Sequence, residues 1–128
     1  MKQKTERRQR QQRFSLRARL ASFSYAFNGL LTMVAEQQNA RLHLVAAMSV
    51  VSLGALTGLT SLEWMLVLLA ITLVWMAEAL NTALEYLADA AVPETHELVG
   101  KAKDVAAAGV LIAAAFALTV ALWAFWPF

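Results

Sequence analysis

Residues 44–62 and 105–126 carry no charged side chain, 19 and 22 positions in succession. At ~1.5 Å per helical residue, either run can cross a hydrocarbon layer ~30 Å thick. Between them, residues 64–77 are uncharged, and the apolar run continues to Val92. A chain of 128 residues that is 59% hydrophobic cannot hide three such stretches in one soluble core. The pattern predicts an all-α membrane protein with spans at about residues 42–62, 64–91 and 96–126. Proline suits the first turn of a helix, so Pro93 and the polar stretch after it are expected to lead into the third span.

The rest of the chain is polar and unevenly charged. Residues 1–13 are nearly all Lys, Arg, Gln and Glu, which cannot bury apolar area. They are expected to form a basic disordered tail in contact with anionic lipid headgroups. This stretch begins like a signal peptide, but it is long and Arg-rich with no compact apolar core and cleavage site after it, so it is taken as retained. From there Leu16, Leu20, Phe23, Phe27, Leu31 and Val34 recur every three or four residues among arginines. That spacing predicts an amphipathic surface helix over residues 14–37, within a single membrane domain of residues 14–128. All 11 Lys and Arg fall before the first span or between the second and third. By the positive-inside rule the N-terminus then lies in the cytoplasm of a bacterial cell and the C-terminus outside its inner membrane. No nucleic-acid partner is expected. The absence of cysteine excludes disulfides, thiolate metal sites and thiol nucleophiles.

Against this background one polar stripe stands out. Glu78, Asn81, Thr82, Glu85 and Asp89 recur at spacings that share one helix face, inside a segment that is otherwise apolar. A carboxylate at such depth costs several kcal/mol unless a cation, a proton or a partner compensates it. Glu78 lies 14 residues past Trp64, or ~21 Å along the axis, near the cytoplasmic edge of the hydrocarbon. Glu78 and Glu85, with the Asn81 amide between them, could hold a hard divalent cation through oxygen, with phosphate oxygens completing the shell.

Two further polar clusters converge on the same membrane face. Glu36, Asn39, Arg41 and His43 precede the first span; Glu94, His96, Glu97, Lys101, Lys103 and Asp104 precede the third. Singly, these residues have plain structural explanations, as snorkelling cations and helix-capping acids. His43 and His96 are too far apart and too weakly supported to argue for zinc. None of the five glycines has the spacing of a P-loop or a protein-kinase Gly-rich loop. A nucleotide would therefore be held by carboxylate-bound magnesium and by Lys101 or Lys103.

The combination Glu78-x-x-Asn81-x-x-x-Glu85, His96-Glu-Leu and Ala102-Lys103-Asp104 closely resembles the signature of the prokaryotic integral-membrane diacylglycerol kinase family, which includes undecaprenol kinases. The resemblance covers about residues 20–126. It implies a homotrimer with three transmembrane helices and one amphipathic helix per chain, and transfer of the ATP γ-phosphate to a lipid hydroxyl with Mg2+. Carried over by position, Glu78 resembles the general base, and Asn81 the residue that orients the centre. Glu36 and Glu85 resemble the metal ligands, and Lys103 and Asp104, with Glu94 and His96, the nucleotide contacts. Residues 36–43 are more similar to the undecaprenol kinase branch and His96-Glu97-Leu98 to the diacylglycerol branch, so the resemblance leaves both acceptors open. The basic tail lies outside the family pattern.

Two other classes compete. A small proton-coupled transporter could use Glu78 as its proton carrier, although the acids gather at one interface and not at the midplane where transport sites usually lie. An inactive structural subunit would satisfy the stripe with partner residues.

Overall fold

A computed structural model describes residues 15–126, so the expected tail of residues 1–13 lies outside the described residues. The chain divides into two compact units, one up to Leu31 and one from Thr32 onward. Regular structure among the described residues is helical throughout: α1 (Leu16–Glu36), α2 (Gln38–Thr57), α3 (Ser61–Ala91) and α4 (Glu97–Ala124). The last three are each long and apolar enough to span a membrane.

Helix boundaries follow from local chemistry. α1 stops at Glu36, and Gln37, extended at φ −96° and ψ 121°, separates it from α2. The helix of the first span therefore begins about four residues before the expected position 42 and carries Arg41 and His43 on its first turns. It also ends earlier than position 62. Gly58 adopts the left-handed conformation (φ 74°, ψ 51°), and the Gly58 and Leu59 N–H groups both donate to the Gly54 carbonyl. Only glycine takes that conformation without strain, so the helix closes there. α3 then starts at once, because Thr60 and Glu63 form a capping box. The Glu63 N–H donates to Thr60 Oγ1 at 3.4 Å, and the Thr60 N–H donates back to Glu63 Oε2 at 2.6 Å. Glu63, the one acid near this turn among the described residues, is thereby accounted for by helix initiation.

In the unit from Thr32 onward, α3 packs on α2 and, more extensively, on α4. Val67 and Ala70 of α3 meet Val120 of α4, with Val50, Leu59, Leu66 and Ile71 around them. At the turn, Gly54 lets Leu59 and the Trp64 ring lie directly on α2. Leu42, Met48, Leu56, Leu68, Leu87, Leu111 and Leu122 all remain exposed. Such helices are stable in lipid or against other chains, and a soluble protein would not leave them uncovered.

Hydroxyl groups on the spans show how polar atoms are accommodated. Ser49, Thr57, Thr72 and Thr119 each donate to the carbonyl four residues earlier, at 2.8–2.9 Å. That local bond satisfies a hydroxyl without help from water or a neighbouring helix. Thr82 makes no such bond.

Candidate active site

The buried face of α3 changes character along its length. Val67, Ala70 and Val74 form its apolar part; Glu78, Asn81 and Thr82 continue the same face and are equally buried. Glu78 is 2% exposed and Thr82 4%. Each of the three residues has an atom with no hydrogen-bond partner: Glu78 Oε2, Asn81 Oδ1 and Thr82 Oγ1. An unpaired buried polar group costs ~1–3 kcal/mol, and more when charged. Here three of them fall within two turns of α3, where Thr72, further along the helix, satisfies its hydroxyl on the Leu68 carbonyl.

Around this face the geometry is partly built. Asn81 Nδ2 donates to Glu85 Oε1 at 2.9 Å, which fixes the amide and half-buries the second carboxylate. Glu78 lies within the electrostatic reach of His43 on α2 and of Glu85. The Tyr86 hydroxyl donates to Glu36 Oε2 at 2.6 Å and ties the end of α1 to α3 one residue beyond Glu85. Lys103 of α4 pairs with Asp89 of α3, which continues the acidic stripe.

The structure thus gathers Glu78, Asn81 and Glu85 in one region of α3, sets Glu36 against Tyr86 one residue beyond Glu85, and pairs Lys103 with Asp89 one turn further on. It does not join the remaining expected residues to that region. His96 is the N-cap of α4, its Nδ1 accepting the Leu98 N–H at 3.2 Å. Glu94 and Asp104 are exposed and make no side-chain hydrogen bond or ion pair among the described residues. Glu97 and Lys101 pair with each other at 2.6 Å on the exposed face of α4.

The donors suit a hard cation: carboxylate and amide oxygens, with no sulfur. Among the described residues no group of three or more His, Asp or Glu side chains gathers as a ready metal cage. Magnesium is commonly held by one or two carboxylates together with substrate phosphates.

The sequence pattern of the prokaryotic diacylglycerol kinase family matches residues 24–125. The chain belongs to that family. It is similar to the undecaprenol kinase of Bacillus subtilis, 34% identical over 106 residues that cover 83% of this chain and 86% of that protein. A diacylglycerol kinase of Synechocystis is 39% identical over 102 residues, 79% of this chain and 58% of the longer relative. The diacylglycerol kinase of Escherichia coli K12 is 33% identical over 89 residues, 70% of this chain and 73% of that protein. As a member of the family the chain is a lipid kinase, a bacterial membrane protein that uses ATP and a membrane lipid. These relatives are kinases and lend no support to the transporter alternative.

Three residues outside the expected site set also stand along this polar face: Tyr86, Asp89 and His43. Tyr86 was unremarked because its phenol stands beside the stripe and not on it. Asp89 belonged to the stripe but had no assigned partner. His43 was read as an interfacial side chain. A usable signal existed for the last of these: counting equal distances back from the turn at Leu59 sets Gly54 opposite Trp64, which touch, and His43 opposite Trp75, with which it shares a cleft.

Proposed function

We propose that this chain transfers the γ-phosphate of ATP to the hydroxyl of a membrane-lipid alcohol, diacylglycerol or undecaprenol, with Glu78 as the general base. The observation that carries the reading is Glu78 itself: a carboxylate 2% exposed, on a helix apolar enough to span a membrane, with Oε2 unpartnered. A stability role would have supplied that atom with a donor. Catalysis leaves it open for a substrate proton.

In the transfer, the acceptor oxygen attacks the γ-phosphorus while the bond from that phosphorus to the β,γ-bridging oxygen breaks. The hydroxyl proton goes to Glu78, and ADP leaves with the bridging oxygen. Magnesium, when bound, supplies neutralisation of the phosphate charge. Glu36 and Glu85 would hold it, with Glu36 steadied by the Tyr86 hydroxyl and Glu85 by the Asn81 amide. Asn81 orients the centre. Lys103 and Asp104 contact the nucleotide, helped by Glu94 and by His96 at the start of α4. Phosphoryl transfer needs positioning and charge compensation more than covalent help, which suits a site made of carboxylates, an amide and a lysine.

The site faces the cytoplasm of the inner membrane, where ATP is available; the segregation of all 11 Lys and Arg supports that orientation. Assembly as a homotrimer fits the large exposed apolar side chains on every span and the orphaned polar atoms of α3. The apolar side of α1, with Leu16, Leu20, Phe23 and Phe27 exposed, suits a headgroup boundary.

The test is transfer of labelled phosphate from ATP to diacylglycerol and undecaprenol in mixed micelles. The wild-type chain should label at least one of them, and Glu78→Gln should lower turnover by ~100-fold or more while the oligomer survives. Retained turnover in Glu78→Gln would refute the base assignment. Failure of the wild-type chain to label either lipid would refute these acceptors.

A further inference from the structure

We propose that His43 is a positioning residue for the transfer: its imidazolium is the counter-charge that keeps the buried Glu78 carboxylate ionised before the lipid arrives. This inference rests on the kinase reading above and adds to it the cation that a general base at this depth requires. A carboxyl that already holds a proton cannot accept another, so a base shielded from water needs a positive charge close by.

The packing of α2 on α3 supplies the place. Equal distances back from the turn at Leu59 set Ala40 level with Glu78. Both are buried, at 0% and 2% exposed, so the carboxylate lies opposite a position where α2 carries only a methyl group. His43 stands three residues further along α2, on the same face as Ala40. Its ring lines a cleft of about 260 Å³ together with Val67, Ala70, Val74 and Trp75 of α3 and Ala117 of α4. Val67, Ala70 and Val74 form the apolar part of the face that Glu78 continues. His43 therefore overlooks the last apolar turn before the carboxylate.

No contact among the described residues gives this histidine a structural use. It is half-buried, it is the one titratable residue on the cleft wall, and its imidazole makes no hydrogen bond. The other charges around Glu78 have the wrong sign or are committed elsewhere. On α3 the nearest is the Glu85 carboxylate. Glu36, at the end of α1, is negative and held by the Tyr86 hydroxyl. On α4, Lys101 pairs with Glu97 and Lys103 with Asp89, and residues 105–126 carry no charge. On α2, Arg41 is exposed, whereas His43 acts on Glu78 through space. Where water is excluded, such an attraction is stronger than between exposed charges. Because the ring makes no bond to the carboxylate, Glu78 Oε2 stays open for the substrate proton.

The test compares His43→Gln, which stays polar and suits a helix but loses the charge, with His43→Lys, which keeps the charge. In the phosphate-transfer assay His43→Gln should lower kcat by ~10–100-fold, part of the ~10²–10⁴ that a general base contributes. The KM for ATP should stay near wild type, and His43→Lys should recover most of kcat. A second readout needs no turnover. In the substrate-free full chain at neutral pH, the infrared difference between each protein and its Glu78→Gln counterpart isolates residue 78. It should show an ionised carboxylate in wild type and in His43→Lys, and a protonated carboxyl in His43→Gln. A carboxylate in all three, a protonated carboxyl in wild type, or wild-type kcat in His43→Gln would overturn the proposal while leaving the kinase reading intact. Loss of the oligomer in His43→Gln would overturn it too, by giving the histidine a structural role. The expected infrared result in a chain that labels neither lipid would instead count against these acceptors and keep the charge pair.

Discussion

Thr82→Val separates a polar atom kept for function from one kept for folding. Valine has nearly the shape of threonine, so the exchange removes the hydroxyl without opening a cavity. In the substrate-free chain that hydroxyl is 4% exposed as part of its residue, lacks a partner, and does not use the Glu78 carbonyl as its four sister hydroxyls use theirs. Its removal should therefore stabilise the detergent-solubilised protein, by ~1–3 kcal/mol if the full desolvation cost of an unsatisfied group is recovered. Turnover should move the other way. A hydrogen bond made only in the loaded site is worth ~0.5–1.5 kcal/mol, a loss of roughly two- to tenfold in kcat/KM. Thermal unfolding and initial rates on the same preparations measure both. Thr72→Val and Thr119→Val, whose hydroxyls bond locally at 2.8 and 2.9 Å, serve as references and should change neither quantity much. A Thr82→Val protein that is less stable than wild type would refute the reasoning, since the hydroxyl would then have a structural partner. One that is more stable and fully active would show the atom to be idle.

The other predictions concern single contacts. Glu85→Gln keeps an acceptor for the Asn81 amide but removes a charge, so activity should require several-fold more magnesium while the fold holds; an unshifted magnesium titration would count against ligation. Tyr86→Phe releases Glu36 from its 2.6 Å hydrogen bond and should raise the magnesium requirement in the same direction, with little effect on melting. Gly54→Ala would place a Cβ 2.8 Å from Leu59 Cδ1 and 3.1 Å from the Trp64 ring. Overpacking costs ~1–3 kcal/mol, partly offset by ~1 kcal/mol of helix propensity. The single change should therefore destabilise, and Leu59→Ala should relieve it in a non-additive double mutant.

The sequence disclosed the parts of this molecule that depend on local pattern. Three apolar runs of spanning length gave the helices, and the spacing from Glu78 to Asp89 gave the polar face, because both are properties of one helix at 3.6 residues per turn. Boundaries were less legible. Gly58 and the Thr60–Glu63 box shift the first turn by several residues, and the weight of those signals is clear only once the helices meet. Least legible were pairings between helices: Tyr86 with Glu36 and Lys103 with Asp89 join positions whose separation depends on how the hairpins close. The same limit applies to the expected nucleotide contacts, since His96 is used as a helix cap and Glu94 and Asp104 reach no partner among the described residues.

These failures share a cause that bears on how the site works. Within one chain the polar face of α3 is finished on the side that chain controls: Asn81 holds Glu85, Tyr86 holds Glu36, and Asp89 holds Lys103. It is unfinished at Glu78, Asn81 Oδ1 and Thr82, the atoms nearest the expected chemistry. Burial without a partner is unfavourable for folding, yet it lowers the reorganisation needed when a substrate arrives, because no internal bond must first break. A sequence pattern can show that such atoms share a face. Whether folding has supplied them with partners can be read only after the helices are assembled, and here it has left three of them without one.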